Sequence, residues 1–337
     1  MIYPKFINEN GCIGIPAPSA GADTIQRLNK MNKAKENLEK LGYKLVLSGN
    51  LCNNYKGRSA DAIKRAQEIN NMFKNKDISF LLCAAGGEFL VEMLPYVDFE
   101  LINENPKFIA GFSDSTGLLY SITTLCDIAT IYGQNFGSFG TNDEYKYQKD
   151  FLEVVKGNLL EEDSYELYEE EPLEKITGLE GDNLTKPVFW KTLDGRQAHI
   201  NGRIIGGCLD IIAELAGTKY DGINNFNEKY KEDGIIWYFD NCELSMEETI
   251  RTLWKLNELG YFKYSKGVAF GRFGVNKTYF DYDVKSCLED SALGKMNIPI
   301  IFDADISHKP PCLTIINGAI ATINVEDGKG KIKFEIK

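Results

Sequence analysis

The stretch Lys107-Phe-Ile-Ala-Gly-Phe-Ser-Asp-Ser115 decides the fold class of this chain. After Lys107, the residues Phe-Ile-Ala-Gly111 form a short run without charge that is typical of a buried strand, and the small and polar residues after them are typical of a turn. The apolar residues that follow recur at helical spacing: Leu118, Leu119, Ile122 and Leu125. A strand that turns at once into a helix is the repeating unit of parallel α/β sheets, so the stretch predicts such a sheet covered on both faces.

The same alternation extends from this stretch towards the N-terminus. Strands are predicted at 12–16, 43–47 and 78–83, a helix over 25–41 that ends before Gly42, and a second helix capped by Ser59 with an apolar face of Ile63, Ala66, Ile69 and Phe73. Ligands of such sheets bind beyond the carboxyl ends of the strands. The loops after Ile15, Cys83 and Gly111 are therefore predicted to share one site.

The composition changes near residue 160. An acidic run over 161–171 predicts a solvated linker, and irregular sequence continues to about residue 198. A second organised block follows, with predicted elements in this order: a helix over 204–215, a strand over 234–239, a helix opened by the capping box of Ser245 and Glu248, and strands at 268–271, 300–302 and beyond Leu313. The chain is thus predicted to have an N-terminal α/β domain (1–160), a linker or lid (161–198) and a C-terminal α/β domain with a mixed sheet (199–337).

Charge and composition exclude several classes of protein. The 337 residues carry 38 Lys+Arg against 49 Asp+Glu, a net charge of −11, which argues against binding to a nucleic-acid polymer. The 43% of hydrophobic residues is ordinary for a globular protein. No apolar run approaches the roughly 20 residues of a membrane span, and the N-terminus lacks a signal-peptide pattern. The eight cysteines occur singly, without CxxC, which predicts a reduced, cytoplasmic setting and no structural zinc.

Two strand ends in the first half of the chain carry residues suited to acyl-transfer chemistry. Ser113, between a strand and a helix, has the setting of a nucleophile at a sharp turn, although a plain helix cap has the same pattern. Gly86 and Gly87 would let backbone N–H groups approach a substrate oxygen or a phosphate, and they also suit a tight turn. Each of these patterns is weak by itself.

The chain has only two histidines. His308 follows the predicted strand 300–302 in a proline-rich loop, a good position for a general base, and equally the position of an ordinary surface histidine. His199 is far away in sequence, and scattered ligands of this kind make a poor metal site. Asp240 and Glu243 follow the strand 234–239, where either carboxylate could orient a histidine or simply begin the next helix.

Taken in order along nearly the whole chain, these segments resemble the LD-carboxypeptidase and microcin C self-immunity family of serine peptidases. The segments that carry the resemblance are Gly14-Ile-Pro-Ala-Pro-Ser19, Gly86-Gly87 with Met93-Leu-Pro-Tyr-Val-Asp98, Asn105-Pro-Lys-Phe-Ile-Ala-Gly-Phe-Ser-Asp-Ser-Thr116, Gly202-Arg-Ile-Ile-Gly-Gly-Cys-Leu209 with Leu215-Ala-Gly-Thr218, and His308-Lys-Pro-Pro311 with Leu313-Thr314 and Gly318.

The resemblance implies a role for each matched residue. Ser113 is expected to be the nucleophile and His308 the general base. The backbone N–H groups of Gly87 and Asp114 are expected to form the oxyanion hole, with Gly86 in contact with substrate. No metal and no cofactor are implied.

The third member of the implied triad departs from the family pattern. The family has Glu followed by Asp where an ungapped alignment places Asp240 and Asn241 in this chain. Because Ser-His-Asp triads work on other folds, Asp240 is expected to take the role. Glu243 is the fallback, and Ser307 replaces the glycine usual before the histidine.

The resemblance implies a serine hydrolase that cleaves an amide bond near a terminal carboxylate or acidic group. One branch of the family trims murein peptides as LD-carboxypeptidases, and the other detoxifies microcin C-like aminoacyl or peptidyl nucleotides. With the nucleophile in one domain and the histidine in the other, the active site is expected at the domain interface. Trp190, in the segment between the domains, either stacks on a nucleobase or packs as a structural residue.

Other classes of protein remain as alternatives. A non-catalytic α/β protein that binds a small ligand has the same alternation of strands and helices. A Rossmann dehydrogenase does not fit, because Gly11-Cys-Ile-Gly14 is not the GxGxxG fingerprint.

The family resemblance further implies a homodimer.

Overall fold

Strands and helices alternate along the first half of the chain, as the sequence predicts, in a computed structural model that describes residues 1–336. The strands are β1 Cys12–Ile15, β2 Lys44–Leu47, β3 Phe80–Leu82, β4 Phe108–Gly111, β5 Thr130–Tyr132, β6 Glu161–Asp163, β7 Leu167–Glu169, β8 Leu184–Pro187, β9 Lys191–Thr192, β10 Ala198–Cys208, β11 Ile235–Asp240, β12 Ser265–Gly271, β13 Ile300–Ala304, β14 Ile315–Asn317, β15 Ile320–Glu326 and β16 Lys329–Glu335.

The α-helices are α1 Ile25–Lys40, α2 Ala62–Lys74, α3 Phe99–Glu104, α4 Thr116–Cys126, α5 Lys146–Val155, α6 Leu209–Leu215, α7 Ile223–Lys229, α8 Met246–Glu258 and α9 Val284–Asp290. Short 3₁₀ turns lie at Leu90–Tyr96, Ser113–Ser115, Phe136–Phe139 and Leu293–Lys295.

The chain divides into two units. Unit 1 consists of Met1–Leu159, Glu171–Asn183 and Thr314–Asn317, and unit 2 consists of Leu160–Glu170, Leu184–Leu313 and the chain from Gly318 onwards. The segment 161–198, predicted to be a linker or lid, is therefore shared between the two units. Its acidic start, predicted to be a solvated linker, instead forms strand β6. This strand pairs with β16, and the Lys331 ammonium lies 2.8 Å from the Glu161 carboxylate.

Unit 1 is built on a six-stranded sheet in the order β14-β5-β4-β3-β1-β2. The five strands from the first half of the chain run parallel, and β14 pairs antiparallel with β5 at the edge. Every residue of β3, β4 and β5 is buried, as expected for strands covered on both faces. The predicted parallel sheet is confirmed, and β14 adds a strand from much later in the chain.

The three predicted helices of this unit form as α1, α2 and α4, with two corrections in α2. Helix α1 ends before Gly42, whose φ of +92° is the left-handed conformation that glycine adopts at little cost. Helix α2 is capped by Asp61, whose side chain accepts from the Lys64 N–H at 2.9 Å, and the predicted cap Ser59 is wrong. The Ser59 hydroxyl instead donates to the Ala17 carbonyl at 2.6 Å. Ile63 is 47% exposed and does not belong to the buried face of the helix.

Unit 2 is built on an eight-stranded mixed sheet in the order β6-β16-β15-β10-β11-β12-β13-β9. Strands β10 to β13 run parallel to one another, and the outer strands pair antiparallel. Strands β7 and β8 form a separate two-stranded sheet. The predicted class, a parallel-sheet domain followed by a mixed α/β domain, is confirmed.

The prediction of a helix over 204–215 is wrong in its first part. Residues up to Cys208 form strand β10, and only Leu209–Leu215 is helical. The reason is the parallel pairing of Arg203–Cys208 with Ile235–Asp240 of β11, which binds this part of the backbone as a strand. Gly206 lies opposite Tyr238, where a Cβ would meet the Tyr238 carbonyl oxygen at 1.9 Å, so this position needs glycine for close strand contact.

Three further observations concern residues 1–336. No helix in this range combines the length and the apolarity that crossing a bilayer requires. None of the eight cysteines in this range forms a disulfide. No cluster of three or more His, Cys, Asp or Glu side chains in this range is arranged to hold a metal ion.

Candidate active site

Ser113 lies at the sharp turn between β4 and α4. Its φ of +63° is left-handed, a conformation that costs a non-glycine residue about 1–3 kcal/mol and persists only where its surroundings enforce it. Here the enforcing contacts come from Asn135, whose side chain accepts from the Phe112 N–H at 3.0 Å and donates to the Phe112 carbonyl at 3.3 Å. The turn lifts the hydroxyl of Ser113 away from the sheet at the beginning of a helix, the setting of a nucleophile.

The Gly86-Gly87 loop approaches Ser113 closely. A Cβ on Gly86 would lie 3.1 Å from the Ser113 Oγ. Gly87 has a φ of +149°, and a Cβ there would lie 2.4 Å from the Ser19 Oγ. Glycine is therefore required at position 87, and a side chain at position 86 would crowd Ser113. The lack of side chains at both positions brings the backbone of this loop beside the serine, as an oxyanion hole would need.

The Asp114 side chain joins the loops around Ser113. It is 1% exposed, and its Oδ2 accepts from the Ser19 hydroxyl and, at 3.0 Å, from the Leu90 N–H. Burial raises the pKa of Asp114, and the bonds from Ser19 and Leu90 oppose that rise. Sequence reasoning assigned a role only to the backbone N–H of Asp114 and missed its carboxylate.

In unit 2, His308 pairs with Asp240. Asp240 is the last residue of β11 and fully buried, and its Oδ2 lies 2.9 Å from the His308 Nδ1. Its Oδ1 also accepts from the His308 backbone N–H at 3.3 Å. One carboxylate therefore holds both the ring and the backbone of the histidine, as an orienting acid does.

The loop that carries His308 is itself held by a buried arginine. Arg272, just after β12, is 5% exposed and donates to the Lys309 carbonyl at 2.9 Å and the Pro311 carbonyl at 2.8 Å. The Ser307 hydroxyl donates to the Arg272 carbonyl at 2.7 Å. Sequence reasoning missed Arg272, for which the only signal was its position directly after a strand end.

Asp240 and the fallback Glu243 have different environments. Glu243 is exposed, and its backbone N–H donates to the Asp210 Oδ1 at 2.9 Å. The carboxylate beside the histidine is that of Asp240. The intervening Cys242 contributes a thiol that hydrogen-bonds the His308 ring.

The protonation of His308 follows from these contacts. Burial lowers the pKa of His308, but the charge and hydrogen bond of Asp240, together with the Cys242 thiol, outweigh burial and raise this pKa well above 6.5. The imidazolium form is thus stabilised in unit 2.

The pKa of His308 predicts how activity depends on pH. A base works only after losing its proton, so we expect kcat/KM to rise with pH through a midpoint above 6.5. The contribution of the charged histidine to stability has the opposite dependence: it is fully present below the unfolded-state pKa and lost as pH rises through the folded-state value. A pH–rate profile of the wild type and of Asp240→Asn tests this, since the variant should shift the midpoint downwards. A wild-type midpoint below 6 would contradict the expectation.

Trp190 lies in the interior of unit 2. It is 1% exposed, its indole Nε1 donates to the Asp305 Oδ2 at 3.1 Å, and its backbone N–H donates to the Gly328 carbonyl at 2.9 Å. Gly330 leaves room for the ring, since a Cβ there would lie 2.2 Å from it. A buried ring of this kind offers no face to a nucleobase, so the prediction of stacking does not fit, and the alternative of a packed structural residue does.

The placement of Trp190 predicts a stability effect without a binding effect. Trp190→Phe should lower the free energy of unfolding by about 1–3 kcal/mol, because the Asp305 carboxylate loses a buried donor. Urea unfolding measures the change, and KM for any substrate should stay within about twofold of wild type. A large rise in KM with unchanged stability would contradict this and indicate that Trp190 contacts the ligand.

A cavity of about 630 Å³ lies in unit 2 next to the histidine loop. Arg272 and Lys309 line it together with the aromatic residues Tyr168, Phe189 and Phe302. The Phe189 ring is 57% exposed, and the Arg272 guanidinium lies 4.7 Å from the centre of the Tyr168 ring. The carboxylates of Glu170, Asp283 and Asp303 line it as well, so the cavity offers aromatic faces together with charged groups of both signs.

The predicted site residues fall into two groups. In unit 1, Ser113, Gly86, Gly87 and Asp114 lie together at the carboxyl ends of β3 and β4. In unit 2, Asp240 and His308 form a pair, while Glu243 and Trp190 do not join it.

Family profiles match both halves of the chain. That of the LD-carboxypeptidase N-terminal domain matches residues 13–133, and that of the C-terminal domain matches residues 201–323. The two ranges together cover more than half of the sequence.

Individual relatives extend the match to nearly full length. The microcin C7 self-immunity protein MccF of Escherichia coli is 28% identical over 331 residues, covering 94% of this chain and 91% of its own. The structure of MccF in complex with aspartyl sulfamoyl adenosine superposes with a TM-score of 0.84 at 23% identity, covering 100% and 99% of the two chains.

Two further solved structures share the fold. An MccF-like protein from Bacillus anthracis has a TM-score of 0.86 at 24% identity over the full length of both chains. Muramoyltetrapeptide carboxypeptidase from Oxalobacter formigenes has a TM-score of 0.75 at 18% identity, covering 96% of this chain and 99% of its own. With both profiles matched in order, and with the strand-end geometry above, the chain belongs to the LD-carboxypeptidase family and is a carboxypeptidase-like or MccF-like hydrolase.

Proposed function

We propose that the protein is a serine hydrolase in which Ser113, His308 and Asp240 form the catalytic triad. The observation that carries the proposal is the buried Asp240 carboxylate 2.9 Å from the His308 Nδ1, the arrangement that orients a histidine as a base. The left-handed turn at Ser113 supports the nucleophile assignment independently.

The proposed reaction follows from these residues. His308 removes the Ser113 proton as Oγ attacks the carbonyl carbon, and the carbonyl oxygen becomes an oxyanion held by the N–H groups of Gly87 and Asp114. The C–N bond then breaks, and His308 returns the proton to the leaving nitrogen, leaving an acyl-serine ester. Water attacks the ester with His308 again as base, which releases the carboxylic acid and restores Ser113.

For the substrate, we propose an aminoacyl or peptidyl nucleotide in preference to a murein peptide. The cavity beside the histidine loop supports this choice, because aromatic faces suit a nucleobase and the half-exposed ammonium of Lys191 suits a phosphate or its sulfamoyl analogue. MccF, a relative in the same family, binds aspartyl sulfamoyl adenosine. The murein branch of the family is the competing substrate class.

Three separate incubations, each followed by mass spectrometry, test the proposal. A serine-directed phosphonate should add one equivalent to Ser113, and absence of any adduct would favour the alternative of a non-catalytic small-ligand-binding protein. Unlabelled protein is given an aminoacyl sulfamoyl adenosine and, separately, an L,D-tetrapeptide. Hydrolysis of the tetrapeptide alone would reject the nucleotide branch while keeping the triad.

A further inference from the structure

Arg65 is a fully buried arginine whose partners are backbone groups near Ser113. It lies on α2 with 0% exposure, and its Nη1 donates to the Pro18 carbonyl at 2.8 Å and to the Phe89 carbonyl at 2.9 Å. Its Nη2 lies 3.2 Å from the Glu92 carboxylate. Burial lowers the pKa of Arg65, and the Glu92 charge opposes that shift. A buried cation is costly, so its place needs a reason.

The two carbonyls belong to the loops that follow β1 and β3. The peptide group between Phe89 and Leu90 accepts from Arg65 at its carbonyl and donates to the Asp114 Oδ2 at its N–H, at 3.0 Å. The guanidinium and the carboxylate thus hold opposite ends of one peptide group. The loop after β1 is held in the same way: its Pro18 carbonyl accepts a hydrogen bond from Arg65, and the hydroxyl of the neighbouring Ser19 donates one to Asp114.

Gly86 and Gly87 lie in the same loop after β3 as Phe89, and they also contact the loop after β1. The Ala20 N–H donates to the Gly86 carbonyl at 3.2 Å, and Gly87 packs so closely on the Ser19 Oγ that a Cβ would lie 2.4 Å from it. Movement of residues 18–20 or 89–90 would therefore displace Gly87 relative to Ser113.

We propose that Arg65 is a positioning residue that fixes the oxyanion-hole N–H groups of Gly87 and Asp114 through the Arg65–peptide–Asp114 arrangement. The role rests on the proposed function, because it concerns the same serine. The cation and the carboxylate keep two polar loops in one orientation, which apolar packing alone would not specify. A displacement of about 1 Å at such a site is enough to lower a rate about 10²-fold.

The test measures the rate constant and the final stoichiometry of Ser113 labelling by a serine-directed phosphonate. We expect Arg65→Met to lower the rate constant about 10²-fold, the size of the loss of one oxyanion donor, while labelling still reaches one equivalent. With a hydrolysed substrate, kcat should fall similarly and KM should stay within about threefold. Arg65→Lys should be intermediate, because an ammonium keeps the charge without the planar fork that spans two carbonyls.

Two further variants complete the design. Ser19→Ala removes one hydrogen bond to Asp114 and leaves Arg65 in place. It should slow labelling about tenfold, and it remains informative if Arg65→Met folds poorly. Arg58→Met is the matched control. Arg58 binds the same Glu92 through its Nη2 at 2.5 Å but contacts the ring of Phe89, not its carbonyl, so labelling should keep its wild-type rate constant.

The outcomes separate three cases. If Arg65→Met and Ser19→Ala lower the stoichiometry of labelling but leave its rate constant unchanged, the role of Arg65 is purely structural and the inference is overturned. Labelling of both variants at the wild-type rate and with full stoichiometry overturns it as well. A wild type that is never labelled at Ser113 overturns the proposed function itself, and the role of Arg65 in it.

Discussion

Replacement of Ser113 by alanine should abolish turnover, with a loss of about 10⁴-fold or more, because no other group can form the acyl intermediate. The fold should survive, since the left-handed turn is enforced by the Asn135 bonds to Phe112 and not by the serine hydroxyl. Steady-state hydrolysis of the substrate found by mass spectrometry gives the rate, and circular dichroism checks the fold.

The control for this variant is Ser115→Ala, two residues further along the same turn. Ser115 is buried at the start of α4, so its loss tests whether any small change in the turn is damaging. It should cost far less activity than Ser113→Ala. A Ser113→Ala protein that kept a tenth of the wild-type rate would refute the nucleophile assignment.

Asp240→Asn should lower turnover by roughly 10³–10⁴-fold, because the imidazole loses its charge partner and its correct tautomer. The loss would come from the bond of the carboxylate to the His308 Nδ1. Since Asp240 is fully buried, urea unfolding should accompany the kinetics, so that a change in stability is separated from a change in chemistry.

Two variants make the Asp240 test specific. Glu243→Gln should remain close to wild type, because Glu243 is exposed and its contact with Asp210 uses the backbone N–H. Asp240→Glu, the residue usual in the family, should keep measurable activity if the loop absorbs one methylene. An inactive Glu243→Gln with a nearly normal Asp240→Asn would make Glu243 the triad acid.

The sheet of unit 1 could be predicted because its signal is local. Apolar runs such as 107–111, followed at once by a turn and a helical pattern, specify strand and helix without distant information. Strand β14 could not be foreseen as part of this sheet, since three residues far along the chain carry no mark of their partner β5.

The error at β10 has a physical cause. Residues 204–209 carry no charged side chain, and a buried strand end that runs into a short helix has no clear period of either kind. The pairing of Arg203–Cys208 with β11 decides the conformation, and that pairing is a tertiary effect.

Site residues could be predicted where a reactive side chain lies at or just after the end of a strand. Asp240 and His308 could be named on that ground, and the structure pairs them, whereas the burial of Trp190 and the loop contacts of Arg65 and Arg272 depend on residues distant in sequence. A buried arginine looks like any other surface cation in a helical pattern, so its role emerges only from its partners.

The late position of β14 has a consequence for synthesis on the ribosome. The edge of β5 stays open until Ile315–Asn317 leaves the exit tunnel, after nearly the whole of unit 2 has been translated. An open sheet edge is a template for pairing with other chains, so the nascent protein should depend on chaperones until β14 has emerged. A chain truncated before Ile315 should thus aggregate, even though it retains Ser113 and both glycines of its loop.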